Sequence, residues 1–211
     1  GIIIQLVYYF LTLINIKIGL LAKYCDLIIK GCTIHNHSLG GIHYLSNNRY
    51  TFRMIKGRIH YNDKVGISLV GDNAEPIIED VIIDNNNGPG VKIGIANKAN
   101  IVDCTFRYNV YGIEMMSCEP LIKTNIIEKN YKHGIYVWSY SSFGGENIRC
   151  DGEIYNNNIK CNMEYGIRCK GKNCVPRIFN MNSISYNKMA GIKIDHDSHP
   201  ILIANKIFKN L

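Results

Sequence analysis

Residues 119–137 read EPLIKTNIIEKNYKHGIYV, and the fold can be predicted from the pattern of this segment. It holds three short apolar segments, around Leu121–Ile122, around Ile126–Ile127 and at Gly134–Val137. Isoleucine and valine favour strands, whereas the asparagine and glycine residues between the segments favour turns. Segments this short are not stable strands by themselves and need neighbours that cover them. The stretch therefore predicts a unit of three short strands joined by tight turns.

The same unit recurs along the chain. Gly followed by Ile or Val returns at spacings of 25, 24, 22, 22, 32 and 25 residues, with an Asn a few residues before each Gly. Self-similarity at a period of about 20–50 residues is typical of solenoid proteins. The glycines are Gly41, Gly66, Gly90, Gly112, Gly134, Gly166 and Gly191, and the asparagines are Asn36, Asn62, Asn86, Asn109, Asn130, Asn162, Asn187 and Asn210.

Three strands in each unit predict a three-sided coil, and stacked coils would share one apolar interior. The sequence thus predicts an all-β parallel β-helix solenoid of about eight coils. We expect each repeat Gly to adopt a backbone conformation that a Cβ atom would oppose. We expect each repeat Asn to suit a left-handed corner and to form a hydrogen-bonded ladder with its equivalents. A leucine-rich repeat lacks its consensus here, and a propeller blade needs a longer period.

The predicted repeats cover residues 25–211, and residues 1–24 are expected to form early imperfect coils or a cap. The 32-residue spacing predicts a loop insertion near residues 139–151, on a face that could bind a partner. The chain lacks an initial Met and stops inside a unit, so we expect it to be part of a longer protein. Residues 1–22 are very apolar, but polar residues interrupt them, and a membrane partner is not expected.

The net charge of +7 comes from scattered Lys and Arg residues, and no nucleic-acid-binding motif accompanies it. A nucleic acid is therefore not expected as the partner. The eight cysteines contain no Cys-x-x-Cys pair, which argues against a zinc site, and nothing else in the sequence marks a disulfide framework. We therefore expect reduced cysteines, an intracellular setting in the cytoplasm or cytoskeleton, and neither a metal nor another cofactor.

The unit Asn-x-Ile-x-x-Asn-x₃-Gly-Ile at residues 125–135 resembles the right-handed β-helix repeats of carbohydrate-binding proteins and sugar hydrolases. It is most similar to the β-helix region of the F-box only protein 11 group. That resemblance covers about residues 25–211 and implies a right-handed β-helix that recruits protein substrates. No F-box segment is visible in the chain, and the matching residues are those that make the coil.

Two groups of residues are candidates for a site. Trp138, Tyr140 and Phe143 lie at or in the insertion and are predicted to contact a partner, since aromatic residues anchor interfaces. Asp195 and His196, with Asp197, form the densest polar cluster and are the alternative catalytic candidates, because they could supply a general base. This cluster also resembles the Asp-Pro-His-Asp motif of alginate epimerases, without its Pro. A polar corner between strands would show the same composition.

The sequence supports two functional hypotheses. The first is a non-enzymatic β-helix scaffold that binds a protein partner within a multi-subunit complex. The second is a polysaccharide-active enzyme (lyase, hydrolase or epimerase) or a carbohydrate-binding protein, with the Asp195–Asp197 cluster as its site. Phosphate-loop, dinucleotide-binding and metalloprotease motifs are absent from the sequence, which removes those classes.

Overall fold

The computed structural model describes residues 3–6, 12–13, 17–95, 97–139 and 149–211, and this part of the chain contains strands and turns without a helix. The strands in chain order are β1 (Ile3–Leu6), β2 (Thr12–Leu13), β3 (Ile18–Lys23), β4 (Asp26–His35), β5 (Gly40–Leu45), β6 (Phe52–His60), β7 (Val65–Val70), β8 (Ile77–Asp84), β9 (Val91–Ile93), β10 (Asn100–Val102), β11 (Thr105–Arg107), β12 (Ile113–Met116), β13 (Leu121–Lys123), β14 (Ile126–Glu128), β15 (Ile135–Trp138), β16 (Glu153–Tyr155), β17 (Asn158–Lys160), β18 (Ile167–Lys170), β19 (Arg177–Phe179), β20 (Ser183–Ser185), β21 (Ile192–Asp195), β22 (Ile201–Ile203) and β23 (Lys206–Phe208).

All strand pairs are parallel, and each strand pairs with its equivalent one repeat away. One sheet has eight strands in the order β21-β18-β15-β12-β9-β7-β5-β3, and a second sheet has 15 strands that form the other two sides of the coil. The long strands β4, β6 and β8 each run along both of those sides. In later coils, two short strands take the place of each long strand. The predicted all-β parallel β-helix of about eight coils is therefore confirmed.

The core is a set of stacked apolar rows. Ile78, Ile101, Ile122, Ile154 and Ile178 occupy paired positions on successive coils and are fully buried. Each coil covers the one before it, so the apolar surface leaves water only when neighbours stack. In the described part of the chain no helix is long and apolar enough to cross a membrane.

The predicted asparagine ladder is present. Asn130 Nδ2 donates to Asn162 Oδ1 over 2.9 Å, and Asn162 Nδ2 donates to Asn187 Oδ1 over 2.9 Å. Asn36 does not belong to this ladder, because the backbone N–H of its neighbour His37 donates to Asn62 Oδ1 instead. A left-handed conformation is adopted by the residue before each ladder position, as at Lys129 and Cys161, and not by the ladder asparagine itself.

The repeat glycines are required for a different reason than the sequence suggested. Gly134 does not lie in the left-handed region, which Gly57 and Gly171 do enter. A Cβ atom at Gly134 would instead lie 2.6 Å from the backbone oxygen of Gly166 and 2.7 Å from Ile159 Cγ2. The expectation of an unusual backbone conformation was therefore wrong, and close approach between coils explains the repeat Gly.

Candidate functional site

The residue after each Gly–Ile or Gly–Val pair projects outward from the eight-stranded sheet, because side chains alternate along a strand. Parallel pairing aligns these residues into one row along the solenoid axis. The row consists of His43, Ser68, Lys92, Glu114, Tyr136, Arg168 and Lys193. Two residues further along the same strands, Trp138, Lys170 and Asp195 form a second outward row. We call the part of these rows on β12, β15, β18 and β21 the site face.

A cationic cluster lies on the site face. Arg168 Nε donates to Asp195 Oδ2 over 2.8 Å, and Lys193 Nζ lies 3.4 Å from Asp195 Oδ1. Burial alone would raise the pKa of Asp195, but the hydrogen bonds from Arg168 and Lys193 outweigh it and hold that pKa below its usual value. Asp195 is therefore an ionised partner that orients two cations, and it is poorly suited to accept a proton at neutral pH.

The indole of Trp138 is held in place by a carboxylate on a neighbouring coil. Trp138 Nε1 donates to Glu114 Oε1 over 3.0 Å, and Glu114 Oε2 lies 3.8 Å from Lys92 Nζ. The Trp138 ring is nearly parallel to the Tyr136 ring, with an interplanar angle of 21° and a centroid distance of 6.4 Å. The Arg168 guanidinium lies 5.9 Å from the Tyr136 ring centroid. The aromatic rings of the site face therefore lie on β15, and its cationic groups lie on the next two strands, β18 and β21.

An open cavity of about 270 Å³ lies on the site face. Its lining residues are Glu114, Tyr136, Trp138, Ser139, Lys170, Gly171 and His196. His196 is exposed and follows β21 in a left-handed turn, which turns its side chain toward this cavity. The two groups of residues that the sequence treated as separate sites therefore meet, through Trp138 and His196, in one cavity.

The structure does not place the other predicted site residues, Asp197, Tyr140 and Phe143, in this cavity. Asp197 is exposed and does not line the cavity, although it is adjacent to His196. Tyr140 and Phe143 lie outside the described residues. Arg168 was missed as a site residue by sequence reasoning. Counting one residue past each repeat Gly–Ile pair would have found it, since that position faces outward on each of these coils.

A buried histidine supports the site face from one edge. His133 is 2% exposed, and the rings of Tyr111, Tyr136 and Tyr165 surround it at centroid distances of 5.3, 5.4 and 5.3 Å. Its Nδ1 atom lies 3.2 Å from Glu164 Oε2. Burial lowers the pKa of His133 to about 4. The imidazole is therefore neutral at neutral pH, and its contact with Glu164 is not an ion pair there.

We expect this histidine to make the fold sensitive to acid. The unfolded chain takes up the His133 proton near pH 6.5, whereas the folded chain resists it down to about pH 4. Stability from the neutral imidazole is therefore complete above about pH 6.5 and is lost as the pH falls toward 4. We predict a loss of about 2 kcal/mol in free energy of unfolding between about pH 7 and pH 5 from this residue.

Urea denaturation at the two pH values checks this expectation. The His133→Phe variant keeps a ring in the tyrosine cage but cannot be protonated, so it should show a smaller loss than the wild-type chain. The difference between the two chains isolates His133 from His43 and His60, whose pKa values burial also lowers. An equal loss in both chains would contradict the expectation.

Asp84 is an acidic residue with a structural role. Asp84 is 1% exposed, and Arg58 donates to both of its carboxylate oxygens over 2.8 and 2.6 Å. This ion pair joins the buried Asp84 to a partly exposed Arg58 on the adjacent coil, and both carboxylate oxygens of Asp84 are occupied by it. Among the residues that the structure describes, no group of three or more His, Cys, Asp or Glu side chains is arranged to hold a metal ion.

Stacked parallel coils with polar outward rows define the class as a parallel β-helix protein. Residues 11–148, more than half of the chain, match the family described as right handed beta helix region, and the chain belongs to that family. The predicted right-handed β-helix repeat is thereby confirmed. A comparison with curated proteins gives no significant match.

Solved structures share the fold. The crystal structure of the periplasmic alginate epimerase AlgG matches with a TM-score of 0.72 at 17% identity, over 92% of this chain and 49% of that chain. The Azotobacter vinelandii mannuronan C-5 epimerase AlgE4 A-module matches with a TM-score of 0.65 at 15% identity, over 87% and 60% of the two chains. This chain thus spans about half the length of AlgG, and identities this low show the fold alone.

Proposed function

We propose that the site face binds an acidic polysaccharide built from uronic acid units, and that the chain is part of a polysaccharide-active enzyme. The observation that carries this proposal is the cationic cluster of Arg168 and Lys193, which Asp195 orients beside an open cavity. Guanidinium and ammonium groups held in place are well suited to a ligand carboxylate. The two epimerase structures with the same fold act, by their names, on alginate and mannuronan.

The shape of the site face also favours a polymer. The strands β12, β15, β18 and β21 present four successive outward positions, which extend over about 14 Å along the solenoid axis at the usual strand spacing. Lys170 lies next to Asp195 in the second row, so positive charge continues toward the cavity. An extended chain of acidic sugars would meet cations and aromatic rings in turn.

Proton abstraction beside the sugar carboxylate is the chemistry that this arrangement favours. His196 lines the cavity and would act as the general base that removes the proton from the carbon next to the carboxylate. Arg168 and Lys170 would stabilise the negative charge that then develops on the carboxylate oxygens. Glycoside hydrolysis needs two available carboxyl groups, one of them protonated. Asp195 is ionised between two cations, which makes hydrolysis the weaker candidate.

Binding of a uronic acid polymer tests the proposal. We expect Arg168→Ala to weaken the affinity roughly 10–100-fold, because a charge-assisted contact to the carboxylate is lost. Arg177→Ala is the matched control, since Arg177 is paired with Glu153 over 2.7 Å on the other sheet. Isothermal titration in low and high salt, with a neutral glucan as the second ligand, gives the measurement. Equal affinity for the neutral polymer, or an equal loss in Arg177→Ala, would contradict the proposal.

The scaffold hypothesis keeps one observation in its favour. Trp138 is only partly buried on the site face, where a protein side chain could also contact it. The resemblance to the F-box only protein 11 group, the protein partner and the intracellular setting remain predictions of that hypothesis. A chain that binds no uronic acid polymer but co-purifies with a stable protein complex, in a manner that Trp138→Ala abolishes, would favour it.

A further inference from the structure

We infer that Tyr136 and Trp138 form a stacking subsite for one pyranose ring of the acidic polysaccharide, with Glu114 as the residue that positions the indole. The inference deepens the proposed function and rests on it. It assigns to the aromatic pair a contact with the carbon-bound hydrogens of a sugar ring, which is distinct from the contact between cations and the sugar carboxylate.

The geometry of the two rings supports a stacking surface. Their planes are within 21° of each other and their centroids are 6.4 Å apart, so the two rings on β15 are nearly parallel. Both residues point outward, whereas Ile135, which precedes them, and Val137, which lies between them, are fully buried in the core. The strand backbone therefore fixes the spacing of the rings, and little side-chain freedom remains to be lost when a ligand binds.

Glu114 restricts the indole further. It is 8% exposed, and its two oxygens face different partners, the Trp138 N–H at 3.0 Å and Lys92 Nζ at 3.8 Å. Both carboxylate oxygens of Glu114 therefore have partners within the protein and do not require a ligand. Its hydrogen bond across adjacent coils sets the tilt of the Trp138 ring relative to Tyr136, which makes Glu114 a positioning residue.

The surroundings of the rings favour a sugar over a protein side chain. The cavity of about 270 Å³ is smaller than the usual pocket for a drug-sized ligand, so one ring is the unit that it accommodates. A pyranose has apolar faces and a polar rim. Lys170 and His196 lie at the cavity edge, where they can meet hydroxyl and carboxylate groups while the rings meet the apolar face.

Tryptophan emission, excited where tyrosine does not absorb, reports on this subsite alone, because Trp138 is the only Trp in the chain. We expect a hexamer of uronic acid to change the Trp138 emission saturably, and we expect the change to persist in about 0.5 M NaCl, where contacts between exposed charges are screened. Calorimetry on variants completes the test. Trp138→Ala should weaken the affinity roughly tenfold, the size expected for a ring that anchors a ligand.

Three further variants give the controls. Phe179→Ala removes a partly buried, outward aromatic from the other sheet and should change the affinity by less than about twofold. Glu114→Ala should weaken binding, whereas Glu114→Gln retains an acceptor for the indole N–H and should restore most of the affinity. The positioning role would be overturned if Gln and Ala behaved alike at this position.

The outcomes separate the inference from the function on which it rests. Salt-sensitive binding of the hexamer with unchanged Trp138 emission and unchanged affinity in Trp138→Ala would overturn the stacking subsite while leaving polysaccharide binding by the cations intact. Failure of every uronic acid ligand to bind the wild-type chain would overturn both. Loss of a protein partner in Trp138→Ala, with sugar binding unaffected, would also overturn the subsite.

Discussion

The Gly134→Ala variant is expected to lose about 3 kcal/mol in free energy of unfolding, a large share of the stability of a domain of this size. A Cβ atom at this position would meet the backbone oxygen of Gly166 at 2.6 Å and Ile159 Cγ2 at 2.7 Å. The oxygen belongs to the adjacent coil and accepts a hydrogen bond from the backbone N–H of Ile135 over 2.9 Å, so it cannot move without disturbing that bond and the coils must separate locally. Urea denaturation followed by circular dichroism measures the loss.

Gly94 provides the control for this substitution. A Cβ atom there would lie 3.3 Å from Val70 Cγ2, the nearest atom, which belongs to a side chain that can shift. We expect Gly94→Ala to change the free energy of unfolding by less than about 1 kcal/mol. If Gly134→Ala were as stable as Gly94→Ala, close approach between coils would not be the reason for the repeat glycine.

Turnover of a uronic acid polymer is expected to fall roughly 10²–10⁴-fold in His196→Ala, the usual effect of removing a general base. His196 lines the cavity and lies on the same coil as Asp195, which orients Arg168. Because the cations and aromatic rings remain, the dissociation constant for the polymer should change little. Product formation is measured by the ultraviolet absorbance of an unsaturated sugar or by the change in uronic acid configuration in NMR spectra.

His199→Ala and Asp197→Asn are the matched controls for this prediction. Both side chains are exposed within three residues of His196, and neither lines the cavity. Their turnover should equal that of the wild-type chain. An active His196→Ala chain, or an equal loss of turnover in His199→Ala, would exclude His196 as the base.

Much of the fold follows from short-range rules. The spacing of Gly–Ile pairs predicted the coils, but Asn36 takes the left-handed position before the ladder, and His37 takes the ladder position itself. The residue at the ladder position is the one whose backbone N–H donates to the asparagine side chain of the next coil. The amino-acid composition of a turn does not show which of two adjacent residues makes that hydrogen bond.

The site was less predictable because its contacts join residues far apart in sequence. Arg168 and Asp195 are 27 residues apart, and Trp138 and Glu114 are 24 residues apart. The outward row can be derived by counting from each repeat Gly. Which members of the row become partners depends on side-chain lengths and on the register between coils. The register survives the 32-residue repeat, since Tyr136 still pairs with Arg168.

A crystal structure of the chain with a hexamer of uronic acid would show where the polymer binds. We expect sugar density along the outward face of β15, β18 and β21, with a carboxylate within hydrogen-bond distance of Arg168 and a ring over Trp138. Density on the 15-stranded sheet instead, or a site face left empty by a hexamer that binds in solution, would contradict this expectation.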